Sequence, residues 1–481
     1  MSNFSRRDWL KLSIISGLAT FVAACRASLF PQDADEPTAK PASPATATGP
    51  TESEDEPVET AGPLRADVIV IGAGMAGLAA ASQLAESGHS VIILEGRERI
   101  GGRTWTDTSL GLPLDMGASW IHGVKSNPIT KLADRFNAQR IATDYDDMIV
   151  YDADGHALSD AQSDKIDSDF EKMMEQVYEL QEELESDISL QAAIERSAKN
   201  TRNLTYAVNT TIEHEYAADV SDLSLFEWDQ DQEEAPGGDV IFPKGYVQLV
   251  NGLAQGLDIR TGARVETIDY SGETVRIGTS KGEFACQRVV VTLPLGVLKK
   301  GIVRFSPELP AKKQKSISRL NMGVLNKVYL KFPTVFWDED STMIGYIAEQ
   351  KGRWCEWLNV QKFTGEPVLL GFNAGAYGVE IESESDEEIV AGAISVLRRI
   401  YGDEVPDPEG WAITRWMSDP FSYGSYSHIP PGASGADYDE LARPVGNRLF
   451  FAGEATYRAY PSTVNGAYLS GVRAAKEINA L

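Results

Sequence analysis

Short apolar runs rich in β-branched residues alternate along the chain with stretches of helical periodicity. Asp67–Ile71 (DVIVI) is the first such run, and its brevity and flanking glycine predict a buried strand. Leu78–Ser87 has helical character and ends at Gly88; Ser90–Leu94 (SVIIL) predicts a second strand, stopping at Glu95. Ser163–Leu184 reads as a long, acid-rich helix, and the ARVETIDYSG segment around Val265 as a strand. In Val324–Phe332 (VLNKVYLKF), Val328, Leu330 and Phe332 share one parity, and Leu325, Lys327, Tyr329 and Lys331 the other. That alternation predicts a half-buried strand with Lys327 on its wet face. Near the end, Leu449–Phe451 predicts a strand and Ser462–Ala475 a helix starting just after Pro461.

A length of 481 residues exceeds one simple core and implies two or more domains. The formal net charge is −27, and the first 64 residues carry only a small part of it, with five Lys/Arg against nine Asp/Glu. So acidic a chain is a poor partner for nucleic acid or anionic membrane and suits a cationic ligand, although acidity also serves solubility. The three cysteines, Cys25, Cys286 and Cys355, form no CxxC or Cys/His cluster, so no zinc or other metal site is expected.

Ser5–Lys11 is close to a twin-arginine export signal, and Leu12–Ala24 is an apolar core too short to span a bilayer. Export to the periplasm or cell envelope is therefore expected. Val22–Cys25 resembles a lipobox, which would make Cys25 a lipid anchor; an ordinary cleavage site between small residues is the alternative. Residues 26–63, rich in Pro, Ala, Thr and acids, lack the apolar surface to fold and read as a linker.

Candidate chemistry begins at Gly72-Ala-Gly74-Met75-Ala76-Gly77, between the first strand and its helix, with Glu95 placed 21 residues after Gly74 at the end of the next strand. Gly72 permits a tight turn, Gly74 close backbone approach to a pyrophosphate, and Gly77 close helix packing; Glu95 is placed to accept from a ribose. This unit predicts a dinucleotide site without deciding which dinucleotide.

Glu95-Gly-Arg97-Glu-Arg99-Ile-Gly101-Gly102-Arg103 resembles the Glu-x-x-x-Arg-x-Gly-Gly-Arg signature of the flavin amine oxidase superfamily. Leu449–Thr456 with Ser462–Ala475 resembles its C-terminal cofactor segment, and Leu114–Pro128 (LDMGASWIHGVKSNP) resembles a loop of its polyamine oxidases. The resemblance implies an α/β fold: a doubly wound, Rossmann-like FAD-binding domain (64–150, 235–320 and 415–481) interleaved with an α+β substrate domain (151–234 and 321–414). It implies FAD contacts from the Gly72–Gly77 turn, Glu95, Arg97, Gly102, Arg103, Gly117, Ala118, Ser119, Trp120, Val265, Gly453, Glu454, Thr463 and Val464. It moves Lys327, in Leu325-Asn-Lys-Val, from surface charge to the active site, where burial would depress its pKa. It puts His122 in the channel, and Trp416 and Tyr426 on the pocket wall. Thr463 stands where some relatives have an aromatic residue, and Asn465 where many have His.

The implied reaction is oxidation of an amine C–N bond, most simply of a polyamine, by dioxygen. Acids of Glu213–Glu215 and Asp229–Glu234 are candidates to hold distal ammonium groups at the channel mouth. Two alternatives stay open. One is an L-amino-acid or monoamine oxidase of the same fold, the former needing an arginine such as Arg353 or Arg415 for the carboxylate. The other is a flavin-carrying protein without a substrate.

Overall fold

The structure is a computed structural model that describes residues 63–229 and 236–481. The signal-like leader, Cys25, the linker and the acids Asp231–Glu234 lie outside the described residues.

Two sheets organise the chain. In the larger, eight-stranded sheet, Leu64–Ile71 runs parallel to both Val91–Leu94 and Gly282–Val291, and Asp258–Arg260 continues the parallel edge. Val265–Asp269, Val275–Thr279 and Gly282–Val291 form an antiparallel meander, and Leu449–Phe451 returns from the far end of the chain to pair with Gly282–Val291. Val68 and Val70 face one core, shared with the helices Met75–Glu86 and Val464–Asn479; Ile69 and Ile71 face the other. The first helix thus starts one turn earlier than its apolar pattern suggests, directly at Met75.

The turn into that helix needs its glycines. Gly72 has φ of +102°, in the region that favours glycine. A Cβ on Gly77 would lie 1.9 Å from the carbonyl oxygen of Gly72, so any larger residue would push the helix off the strand.

The smaller, six-stranded sheet has Leu325–Lys331 between Gly410–Ile413 and Val368–Ala374, followed by Glu356–Asn359, Met343–Tyr346 and Met148–Tyr151. One face packs under helices: Val328, Leu330 and Phe332 meet Phe170, Val177 and Leu397. The long helix spans Asp160–Glu183, with Ser159 and Gln162 forming a capping box.

The opposite face corrects the expectation for Lys327. It is not wet: residues 112–120 cover it, with Leu114 and Met116 against Tyr329 and Phe372. Lys327 is only 4% exposed. The alternation did mark two faces, but both are buried, because the strand lies where the two halves of the molecule meet.

Cys286 and Cys355 are free and buried. No helix among the described residues is long and apolar enough to cross a membrane.

Candidate active site

A cavity of about 860 Å³ runs between the two sheets. One end is built from backbone. Gly72, Gly74, Met75 and Ala76 line it where the first helix begins, and Gly74 supplies no side-chain cap. The N–H groups of the first turn therefore point at the cavity without a capping partner, at the positive end of the helix dipole. A Cβ built on Gly74 would find nothing nearer than Gly101 O at 3.9 Å, which leaves the space over this turn open. Gly77 stays off the cavity wall; its role is helix packing.

Glu95 closes the same end. Its Oε2 accepts from Ala73 N and its Oε1 from Arg97 N, both at 2.8 Å, so the carboxylate is held at the strand end by backbone. Val265 lines the cavity beside it. Arg97 also borders the cavity, but its guanidinium is committed: it forms a two-point ion pair with Asp419 (2.8 and 2.9 Å) and lies over Phe421. This pair ties the Glu95–Arg103 segment to the 415–421 turn.

Arg103 and Glu454 join the chain's two distant motifs directly. Arg103 Nη1 donates to Glu454 Oε1 and to Ser425 O, each at 2.9 Å. Glu454 Oε2 accepts from Ser427 Oγ at 2.6 Å and from Ser462 N at 3.2 Å. Gly102, Gly453, Thr463 and Val464 line the adjoining wall. Thr463 is the N-cap of the last helix, its hydroxyl accepting from Gly466 N at 3.0 Å. The helix axis thus begins at Val464, two residues later than the sequence pattern suggests.

At the other end the wall is aromatic and holds Lys327. Its Nζ donates to Asp115 O (2.8 Å), Gly117 O (2.6 Å) and Ser119 Oγ (2.6 Å), and sits 5.7 Å from the Trp120 ring. Burial pushes the Lys327 pKa down to about 7, against the opposing pull of the Asp115 carboxylate. Burial likewise raises Asp115 to about 6, although Thr106 Oγ1 and Tyr246 N donate to it. Ala118 lines the cavity between these groups.

Trp416 is buried edge-on to Trp105, and its backbone N donates to Asn326 Oδ1 at 3.1 Å. Tyr426 donates its hydroxyl to His214 O at 2.8 Å. His122 occupies the rim: its ring is 57% exposed, stacks on Trp120 and pairs with Asp239 at 2.9 Å.

A match to the model of flavin containing amine oxidoreductases extends over residues 75–479, which takes in every residue lining this cavity except Ile71, Gly72 and Gly74. The chain belongs to that family. The amine oxidoreductase is similar to polyamine oxidase 2 of Arabidopsis thaliana, 38% identical over 431 residues that cover 85% of this chain and 87% of the relative. It is also 39% identical to lysine-specific histone demethylase 1 homolog 2 of the same plant, of whose length it spans 58%. A solved structure of a putrescine oxidase with redesigned cofactor binding superposes with a TM-score of 0.72 at 20% identity, covering 87% of this chain and all of that one. The α/β architecture and a flavin cofactor follow from this membership.

These relatives correct the expected localisation. They are plant polyamine oxidases and histone demethylase homologues, a eukaryotic set that does not belong to a bacterial envelope, and export with anchoring at Cys25 does not stand. The twin-arginine-like and lipobox-like residues match those signals by short local pattern alone.

Two of the amine oxidoreductase's candidate mouth acids are elsewhere. Glu213 is fully buried and binds Lys351 (2.5 Å), Asn209 Nδ2 (3.0 Å) and Val220 N (2.9 Å). Asp229 sits against Gln181, away from the cavity, with its pKa raised by burial. Glu215 is exposed and does line the cavity. Several other wall residues left no sign in the sequence, among them Tyr145, His214, Glu356 and Phe372. Glu356 and Phe372 reach the site through strand register, for which the sequence carries no motif. His214 lay inside a segment singled out only for its acids.

Proposed function

We propose that the cavity binds FAD and oxidises a C–N bond of a polyamine-type substrate, giving an imine that hydrolyses to an aldehyde, with peroxide from dioxygen. The observation that carries this is the continuity of one cavity from the Glu95 and Val265 end to Lys327. FMN would need only the inner part. The helix N-terminus of the Gly72–Gly77 turn suits a pyrophosphate, and Glu95 and Val265 suit an adenosine half beyond it. Arg103 and Glu454 would then hold the middle of the cofactor, with Gly102, Gly117, Gly453, Thr463 and Val464 giving it close backbone walls. Residues 64–150, 235–320 and 415–481 form the cofactor domain in this reading, and 151–234 with 321–414 the substrate domain. Bound there, the flavin supplies the two-electron acceptor that dioxygen regenerates.

The chain's own task is to present a neutral amine. An alkylammonium of pKa about 10.4 must lose a proton near neutrality, at a cost of about 4 kcal/mol. Trp120, Trp416 and Tyr426 provide a dry wall that favours the neutral form. Lys327, shifted to about 7 by burial, exchanges protons in the working range. Its ammonium donates to three oxygens; when one proton leaves, the Ser119 hydroxyl is the partner that can reverse and donate to Nζ. The two carbonyls cannot.

Relatives named polyamine oxidase support the substrate class. The amino-acid alternative loses its arginines: Arg353 pairs with Glu380, and Arg415 with Asp386, neither on the cavity wall. The test is release and identification of the bound flavin, then anaerobic bleaching with spermine, spermidine, monoamines and amino acids. FAD bleached fastest by a polyamine is the expected result. FMN, or bleaching by amino acids alone, would overturn the reading.

A further inference from the structure

The wall residue Trp416 stands where the chain has just left the smaller sheet. Gly410–Ile413 pairs with the strand of Lys327 as far as Ile413, opposite Val328. Thr414 extends the contact by one residue: its N donates to Lys327 O at 3.0 Å, and its hydroxyl accepts from Lys327 N at 2.8 Å. Beyond Thr414 the ladder ends, and the N–H groups of the following turn need partners from elsewhere.

Asn326 supplies the first. As the neighbour of Lys327 on a strand it faces the other way, and it is fully buried. Its Oδ1 accepts from Trp416 N (3.1 Å) and Thr414 Oγ1 (3.0 Å), and its Nδ2 donates to Gly378 O (3.0 Å) and Glu382 Oε1 (2.7 Å). All four hydrogen-bonding positions of the amide are used, which fixes its orientation.

Glu382 supplies the rest. It lies in the short turn Ile381–Ser383, on no wall of the cavity. Besides Asn326, its Oε1 accepts from Met417 N at 2.8 Å, and its Oε2 accepts from Ser418 N at 2.8 Å and from the Ser418 hydroxyl. One carboxylate thus gathers two consecutive N–H groups, a hydroxyl and the amide that holds Trp416 N. Hydrogen bonds to an ionised acceptor are the stronger kind. The next residue, Asp419, is held by Arg97 from the other side. Trp416 sits between these two holds, 3% exposed, its ring 6.3 Å from Trp105 and edge-on to it.

We propose that Glu382, acting through Asn326 and the turn 414–418, is a positioning residue that fixes Trp416 and thereby sets how bulky a substituent the reacting nitrogen can carry. Oxidation of a neutral amine asks Trp416 for a close, dry wall. A wall held by its own backbone N–H does not swing aside for an aromatic group, whereas one released from Asn326 and Glu382 does. The discrimination is set by a carboxylate that no substrate touches. Its loss widens the range of amines rather than abolishing their oxidation.

This inference rests on amine oxidation as the reaction. The test uses the flavin-loaded full chain with octamethylenediamine and its N,N′-dibenzyl derivative as slim and bulky probes. Glu382→Gln keeps the size but replaces an acceptor by a donor, and should lower the slim-to-bulky ratio of kcat/KM about five-fold or more. Ser418→Ala, which removes one of the four donors, should lower it less, in the same direction. A ratio within about two-fold of wild type, in a Glu382→Gln protein with an unaltered flavin spectrum, would overturn the proposal, because a merely stabilising carboxylate slows both amines alike. In a Trp416→Ala background, Glu382→Gln should change the ratio by less than about two-fold further; independent, multiplying effects would mean that it does not act through the indole. Hydrogen exchange decides without turnover: the Trp416 and Met417 amides should exchange about ten-fold faster in Glu382→Gln, and an unchanged rate would refute the hold. If no amine bleached the flavin, the reaction reading would fall, while the exchange rates would still decide this one.

Discussion

Two buried lysines carry the same shift in opposite settings. Lys327, on the central strand of the smaller sheet, and Lys313, on the helix Ala311–Arg319, are both pushed by burial to about 7. Lys327 donates to three oxygens and borders the cavity. Lys313 donates to two, the carbonyls of Glu440 and Leu441 (2.8 Å each), lies 4.1 Å from the centre of the Phe451 ring, and is on no cavity wall. Three acceptors match an ammonium's three donors, and two carbonyls match the two donors of a neutral amine. The lesson is that a displaced pKa does not by itself mark chemistry. What distinguishes Lys327 is a reachable ligand and one hydroxyl neighbour able to reverse its hydrogen bond.

The sharpest way to break this comparison is to remove each ammonium. Lys327→Met should reduce kcat with a polyamine by about 10²-fold or more, the range of a lost proton-transfer group, while the purified protein still carries its flavin. Lys313→Met should stay within about two-fold of wild type, since Lys313 is on no wall of this cavity. Steady-state peroxide release measures both. Equal losses in the two variants would mean that burial, not position, made Lys327 matter.

The pH dependence sharpens the same contrast. With the Lys327 and Asp115 pair titrating near 7 and 6, wild-type kcat should rise with pH through about 7 as the lysine becomes able to accept a proton. The two values belong to a coupled pair, so the limb is expected to be broad. Lys327→Met should lose that limb and Lys313→Met keep it. A limb retained without Lys327 would assign it to another group or to the substrate.

A smaller effect concerns the backbone-built end. Glu454→Gln keeps the shape but removes the charge that holds Arg103 and accepts from Ser427 and Ser462. Because Arg103 is 23% exposed, the pair is worth less than a fully buried one. Flavin retention on dilution should weaken about ten-fold, read from fluorescence of released flavin.

How much of this could be read in advance follows from how each part is made. The glycine turn, Glu95, Arg103 and Glu454 lie in contiguous segments, where a ligand's demand for close backbone approach leaves a local imprint. Lys327 was legible only through resemblance, since its alternation taken alone pointed to solvent. The residues 112–120 that cover it are distant in sequence, and no periodicity within one strand reports what packs on it. Glu356 and Phe372 depend on register across three strands, and the EWLN strand, buried on both faces, shows no alternation to betray an inward carboxylate. Glu213 misled for the opposite reason: an acid in a polar segment looks solvated, yet a π-helical turn carries it inside.

The smallest expected effect is thermodynamic, and it falls on Lys313. In the native state its pKa is lowered to about 7, whereas in the unfolded chain it returns to the ordinary lysine value of 10.5. Below about 7 both states hold the proton, and the native state bears the full cost of burying a charge. Between about 7 and 10.5 the unfolded state binds more protons than the native one, so stability rises with pH in that window. Lys313→Met has no proton to lose and should lack the rise. The stability difference, wild type minus variant, should therefore grow from pH 7 to pH 9 by at most about 1.4 kcal/mol per unit, measured as urea midpoints at matched flavin saturation. Taking the difference matters, because Lys327 contributes a rise of the same sign to both proteins and cancels. A flat difference would mean that Lys313 stays charged against its two carbonyls, and the contrast between the two lysines would then lie in their partners alone.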